Sequence, residues 1–122
     1  MRSYPRSESD FHLVFGKSKI DYDSDKDDYN RKEHKYGLES AVALLTRILV
    51  PGGTIPPYAY RDASTVVEQR HEHMTIDDSN KVVFFVTTMR ADETVRVISM
   101  RRANKVERDV FYKETGCHEQ PD

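Results

Sequence analysis

From Thr94 the chain alternates, with Val95 and Val97 on one side and Arg96, Ile98 and Met100 on the other. A period of two marks a strand, because successive side chains leave the backbone on opposite faces. Asn104 followed three residues later by Glu107 has the form of a capping box, which opens a short helix with Val106, Val110 and Phe111 as its apolar edge. Upstream, Leu38, Ala41, Val42, Leu45, Ile48 and Leu49 recur at helical spacing. They predict the main core helix, ended by Pro51, Gly52 and Gly53. A polar helix is expected from about Ser24 to Lys35, with Ser24 and Asp27 as a second capping box and Tyr29 and Tyr36 as its sparse apolar edge. Lys19–Tyr22 reads as a short edge strand, Val66–Ile76 as a strand, residues 77–80 as a turn, and Lys81–Met89, containing VVFFV, as a central strand. Arg90–Glu93 reads as a second turn.

Those elements predict an α+β domain: N-terminal helices packed on a small antiparallel β-meander, closed by a C-terminal helix. Residues 1–17 read as a flexible arm, 18–114 as one domain, and 115–122 as a C-terminal tail. Within the domain, residues 51–63 read as a long loop, since three prolines and two glycines crowd them.

Length and composition narrow the class. At 122 residues the chain holds one core. No apolar run approaches the ~20 residues of a membrane span, and the first ten residues lack the apolar stretch of a signal peptide. Cys117 is the single cysteine, which fits a reducing, cytoplasmic setting. The net charge of −2 argues against broad non-specific nucleic-acid binding. It hides an asymmetry, however: residues 81–113 carry 8 Lys and Arg against 4 Asp and Glu. A strand ending in Arg101 and Arg102 beside Lys105 concentrates that charge at one rim, and phosphate is the anion it suits best.

Candidate chemistry is sparse. There is no Gly-rich phosphate loop and no Ser/His/Asp or Cys/His arrangement. His71 and His73 share a strand face and could start a metal site for a hydrolase, but no third ligand has informative spacing, and cross-strand packing is the plainer reading. The remaining set is His34, Arg70, Arg96, Arg101 and Arg102. Cations with one imidazole suit RNA cleavage without metal: the 2′-hydroxyl attacks phosphorus, a base takes its proton, and cations hold the developing charge. On an unbroken strand Arg96 and Arg101 point to opposite faces, so they share a pocket only if a bulge intervenes. Arg101 and Arg102 therefore rank first.

Three blocks resemble BrnT-type toxins, the ribonuclease halves of BrnT–BrnA toxin–antitoxin pairs. They are IDYDSDKDDYNRKEHKYGLESAVALL, VVEQRHEHM and, most specifically, VRVISMRRANKVERDVFYKE. The resemblance implies a fold similar to RelE-type ribonucleases, metal-independent RNA cleavage that arrests translation, no cofactor, and neutralisation by a BrnA-like DNA-binding antitoxin, through which the toxin could oligomerise. It implies catalytic roles for His34, Arg70, Arg101 and Arg102 and a long loop insertion at residues 51–66; Lys32, Arg96, Lys105 and Arg108 are expected as RNA contacts, and no metal is expected. Glu33 stands where the family usually has Lys, Lys35 where it has Gly, and Met100 where it has Ala. The rival reading is a catalytically inactive module that only engages an antitoxin-like partner.

Overall fold

The computed structural model describes residues 19–49, 56–89 and 94–119. In chain order the elements are β1 (Lys19–Tyr22), α1 (Ser24–His34), α2 (Leu38–Leu49), β2 (Tyr58–Asp62), β3 (His71–Ile76), β4 (Val82–Met89), β5 (Thr94–Arg102) and α3 (Lys105–Thr115). The five strands form one sheet in the order β1-β5-β4-β3-β2. Strands β2 to β5 are an antiparallel meander, whereas β1 lies parallel to β5. The α+β class holds, with a mixed sheet in place of an all-antiparallel one.

The helices cover both faces. On one face α2 buries Leu38, Ala41, Leu44, Leu45 and Ile48 against Val83, Phe85, Val95, Val97 and Met100. Each fully buried Leu is worth about 1.5–3 kcal/mol, so this stripe is the principal driving force for docking α2. Val42 is only partly buried, and the Leu49 side chain lies outside the described residues. Alternation along β4 sends Val82, Phe84 and Val86 to the opposite face, where Phe111 of α3 meets them with Ala59, Met74 and Ala103. Partly buried Cys117 packs at the edge of that second cluster.

Capping fixes the helix ends. Asn104 and Glu107 form the expected capping box on α3, and Gly116 closes the helix at φ 73°. At α1 the cap is Asp23, one residue before the expected Ser24, and its carboxylate accepts from the Asp25 and Lys26 N–H groups. Asp27 instead accepts from the Leu38 N–H at 2.8 Å and so starts α2. The buried residue of α1 is polar, not Tyr29 or Tyr36. The Asn30 amide donates to the Met100 and Tyr36 carbonyls, each at 2.8 Å, and its oxygen accepts from the Met100 N–H at 3.0 Å. One side chain thereby replaces a neighbouring strand beyond the point where β1 stops pairing with β5, and it satisfies backbone groups that would otherwise be costly to bury.

Two segments differ from their expected form. Residues 51–55 of the expected loop insertion are outside the described residues, as are the 1–17 arm and residues 90–93. Tyr58–Asp62, expected as loop, is an edge strand paired with β3. Conversely, Val66 and Val67 are not in a strand: they are 104% and 93% exposed. The Thr65 N–H donates to the Glu68 carbonyl and the Thr65 hydroxyl accepts from the Glu68 N–H, which closes a turn around them. The expected 115–122 tail folds back along its described part. Glu119 accepts from the Val82 N–H and from Arg102, both at 2.6 Å.

Candidate functional site

The register of β4 against β5 organises the charged face. Val86 pairs with Ser99 and Thr87 with Val97, so Ile98 is an extra residue, a β-bulge. Before it, Val95 and Val97 enter the α2 core and Arg96 points to the other face. After it, Met100 re-enters the α2 core and Arg101 points away from it, over the Phe84 ring at 4.4 Å. The bulge thus brings Arg96 and Arg101 to one face, the condition the sequence reading had set. It also separates Arg101 from Arg102, whose Cα partner is the α2-facing Val83. Arg96, and not Arg102, therefore shares a face with Arg101, because neighbouring strand residues point apart.

A third arginine joins from the other side of the sheet. In β3, His71, His73 and Thr75 face α2, while Glu72 and Met74 face the α3 side. Arg70 donates from Nε to Glu72 at 3.1 Å, and Arg61, opposite Glu72 on β2, places its Nε 3.7 Å from the other carboxylate oxygen. The face that α3 leaves uncovered thus carries Arg61, Arg70 and Glu72 on one flank and Arg96 and Arg101 on the other.

Each arginine is aimed by an acid. Arg101 makes a two-pronged contact with Glu107 at 2.7 and 2.8 Å. Glu107 also accepts from the Asn104 N–H, so the start of α3 holds this guanidinium. The Glu107 hydrogen bond, together with the charges of Glu107 and Glu72, outweighs burial and raises the Arg101 pKa above its ordinary value. Arg96 is paired with Asp21 of β1 at 2.9 and 3.1 Å. A planar fork held at two points keeps its direction, which suits it to an oxyanion.

The other expected site residues stand apart. His34 is the last residue of α1 and has Tyr29 as its ring neighbour, 6.4 Å away and edge-on; no contact joins it to Arg101 or Arg102 among the described residues. Lys32 is exposed on α1, and Lys105 pairs with Asp109 at 3.1 Å on the outside of α3. Arg108 donates to the Ala103 carbonyl at 2.7 Å and lies 3.9 Å from Glu119. His71 and His73 are both 0% exposed. Their Nδ1 atoms meet the Tyr60 and Tyr58 hydroxyls at 2.7 Å, and His73 Nε2 meets the Thr87 hydroxyl. That is cross-strand packing beneath α2. No group of three or more His, Cys, Asp or Glu converges among the described residues.

Two acids make acid stability predictable. Burial alone would raise Glu107 and Glu119, but their hydrogen bonds from arginine and backbone N–H groups win and hold both below the ordinary value. A carboxyl depressed in the folded state stabilises the fold above its unfolded pKa, and that gain is lost as pH falls through the folded value. Stability should therefore be level at neutral pH and decline below about 4.5, and Glu107→Gln should flatten the decline in melts taken from pH 7 to 3.

The fold and this face define a small α+β domain with an arginine-lined sheet surface. The family model for the ribonuclease toxin BrnT of type II toxin–antitoxin systems matches residues 22–107. The chain belongs to that family. Its fold is similar to the crystal structure of the Brucella abortus ribonuclease toxin BrnT, with a TM-score of 0.52 and 18% identity over 72% of this chain and 99% of that one. No curated protein matches. The family match contains Arg70, Arg96 and Arg101 but stops before Arg108 and Glu119.

Proposed function

We propose that this chain is a metal-independent endoribonuclease toxin of the cytoplasm, neutralised by a BrnA-like DNA-binding antitoxin. One observation carries the reading: Arg70, Arg96 and Arg101 share a single sheet face, the last two through the β5 bulge, and each is aimed by an acid. Three guanidinium groups on one rigid face suit a phosphodiester whose charge grows as the 2′-hydroxyl attacks phosphorus. The sheet fixes their spacing before substrate arrives, so little reorganisation accompanies the reaction. No helix is long and apolar enough to cross a membrane among the described residues.

Within this reading Arg101 and Arg70 hold the scissile phosphate and Arg96 a neighbouring one. Arg102 and Arg108, drawn to Glu119, and Lys32 and Lys105, on the outer helix surfaces, contribute at most to the approach of RNA. His34 reaches the phosphate only if α1 or the RNA brings them together. The guanidinium groups of this face support the metal-independent scheme, since they offer positive charge where the phosphate's charge develops.

The test is expression with and without the antitoxin, following growth and RNA integrity. We expect growth arrest and RNA fragments from the chain alone, and neither when the antitoxin is co-produced. Cleavage should persist in EDTA, and the new ends should be 2′,3′-cyclic phosphate and 5′-hydroxyl. Loss of activity on chelation, restored by zinc or manganese, would refute the metal-free scheme. An intact, antitoxin-binding chain that cleaves no RNA would establish the inactive-module reading, with Glu33 in the family's Lys position as the first residue to revert.

A further inference from the structure

The arginines account for holding the phosphate but leave the proton of the 2′-hydroxyl without a destination. His34 lies at the end of α1 against Tyr29, and His71 and His73 are sealed beneath α2. Among the described residues, three acids lie on or beside the charged face. Asp21 is committed to Arg96 at the sheet edge by two hydrogen bonds. Glu107 is committed twice over, to the cap of α3 and to Arg101. Glu72 is placed differently. It sits in the middle strand of the β2-β3-β4 ladder, opposite Arg61 on one neighbour and Val86 on the other. Its side chain is 18% exposed, so it is anchored yet still reaches the surface. Arg70 holds Oε2 at 3.1 Å, while Oε1 has, among the described residues, the loose 3.7 Å approach of Arg61. Arg101, across β4, lies close enough for the Glu72 charge to act on it.

We propose that Glu72 is the general base of this ribonuclease, taking the 2′-hydroxyl proton while Arg70 and Arg101 hold the adjacent phosphate. The inference rests on the ribonuclease reading above. Glu72 is bound to Arg70 and its charge acts on Arg101, so a ribose whose phosphate these arginines hold comes near its carboxylate. The O2′–H bond breaks and its proton passes to Oε1 of Glu72, the more loosely held oxygen. The O2′–P bond forms, the P–O5′ bond breaks, and the leaving O5′ takes a proton from water. Protonated Glu72 then returns its proton to water, so no oxidant, reductant or metal enters the balance. Arg70 and Arg61 fix the direction of the carboxylate. The carboxylate is also a negative charge that a bound phosphate must tolerate on this face.

That last point separates a base from a structural ion-pair partner. Glu72→Gln keeps the shape and one acceptor for Arg70 but cannot take a proton, and it removes a charge that repels RNA. Binding should be measured with a 2′-O-methyl oligoribonucleotide, which cannot be cleaved, and cleavage with the matching RNA under single turnover. We expect the cleavage rate to fall about 10²–10⁴-fold, the size of a general-base contribution, while affinity for the 2′-O-methyl strand stays level or tightens. Glu72→Asp, which keeps the proton acceptor, should recover part of the rate. Cleavage by Glu72→Gln within about threefold of the unmodified chain would overturn the assignment but leave the ribonuclease reading standing. So would a parallel loss of binding and cleavage, because Glu72 would then serve only to aim the arginines. An unmodified chain that cleaves no RNA would overturn both.

Discussion

Arg101→Ala should slow RNA cleavage about 10²–10³-fold, the cost of removing one donor aimed at transition-state charge. The size follows from how Arg101 is held. Its guanidinium lies on the Phe84 ring and is pinned by both Glu107 oxygens, so its remaining N–H groups have a fixed direction. Arg101→Lys keeps the charge but loses the fork, and a large part of the deficit should persist. The fold should survive either change, since Glu107 still accepts from the Asn104 N–H and α3 keeps its cap. Cleavage rates for the two variants, read beside thermal melts and antitoxin binding, decide the matter. If Arg101→Lys is as fast as the unmodified chain, Arg101 acts as a diffuse charge and not as a positioned donor. Arg102→Ala is the internal comparison. Arg102 points the other way and is engaged by Glu119, so its loss should cost far less than that of Arg101.

Leu45→Ala is the second large effect, this time on stability. Leu45 is 0% exposed at the centre of the cluster that joins α2 to Val83, Phe85 and Met100. Burial on all sides leaves a cavity that neighbours fixed in strands cannot collapse to fill, so the expected loss is about 2–5 kcal/mol. That is a large share of the ~5–15 kcal/mol typical of a whole domain, and the denaturant midpoint should move accordingly at constant slope. Val106→Ala on α3, with Val106 73% exposed, should stay within about 0.5 kcal/mol. A Leu45→Ala loss as small as that would mean α2 is not the helix that covers this face.

Much of this was legible from the chain. The α2 stripe, the VVFFV strand and the Asn104–Glu107 capping box each rest on local chemistry, and local chemistry is what a sequence displays. The features that build the site are not local. The bulge at Ile98 leaves no composition signal; it exists because Met100 and Val97 must both reach the α2 core, which is a property of the partner strand. Asn30 looked like one polar residue among many in a polar helix, and its role depends on a backbone 70 residues away. Glu72 was masked by the histidines flanking it, whose alternation drew attention to the wrong face. Val66 and Val67 are β-branched and read as strand, but Thr65 and Glu68 turn the chain around them. The β2 strand was hidden by its prolines and by having only five residues.

The parallel pairing of β1 with β5 also sets when activity can appear during biosynthesis. Lys19–Tyr22 is translated early but pairs with Thr94–Val97, and Asp21 finds Arg96 at a separation of 75 residues. At ~5–20 residues per second the ribosome needs about 4–15 s to span that gap, and the arginine face is incomplete until it does. On the ribonuclease reading, a nascent chain therefore lacks a complete phosphate-holding face until its last strand emerges. For a cell that makes toxin and antitoxin together, that delay is a head start for whichever partner folds from shorter-range contacts.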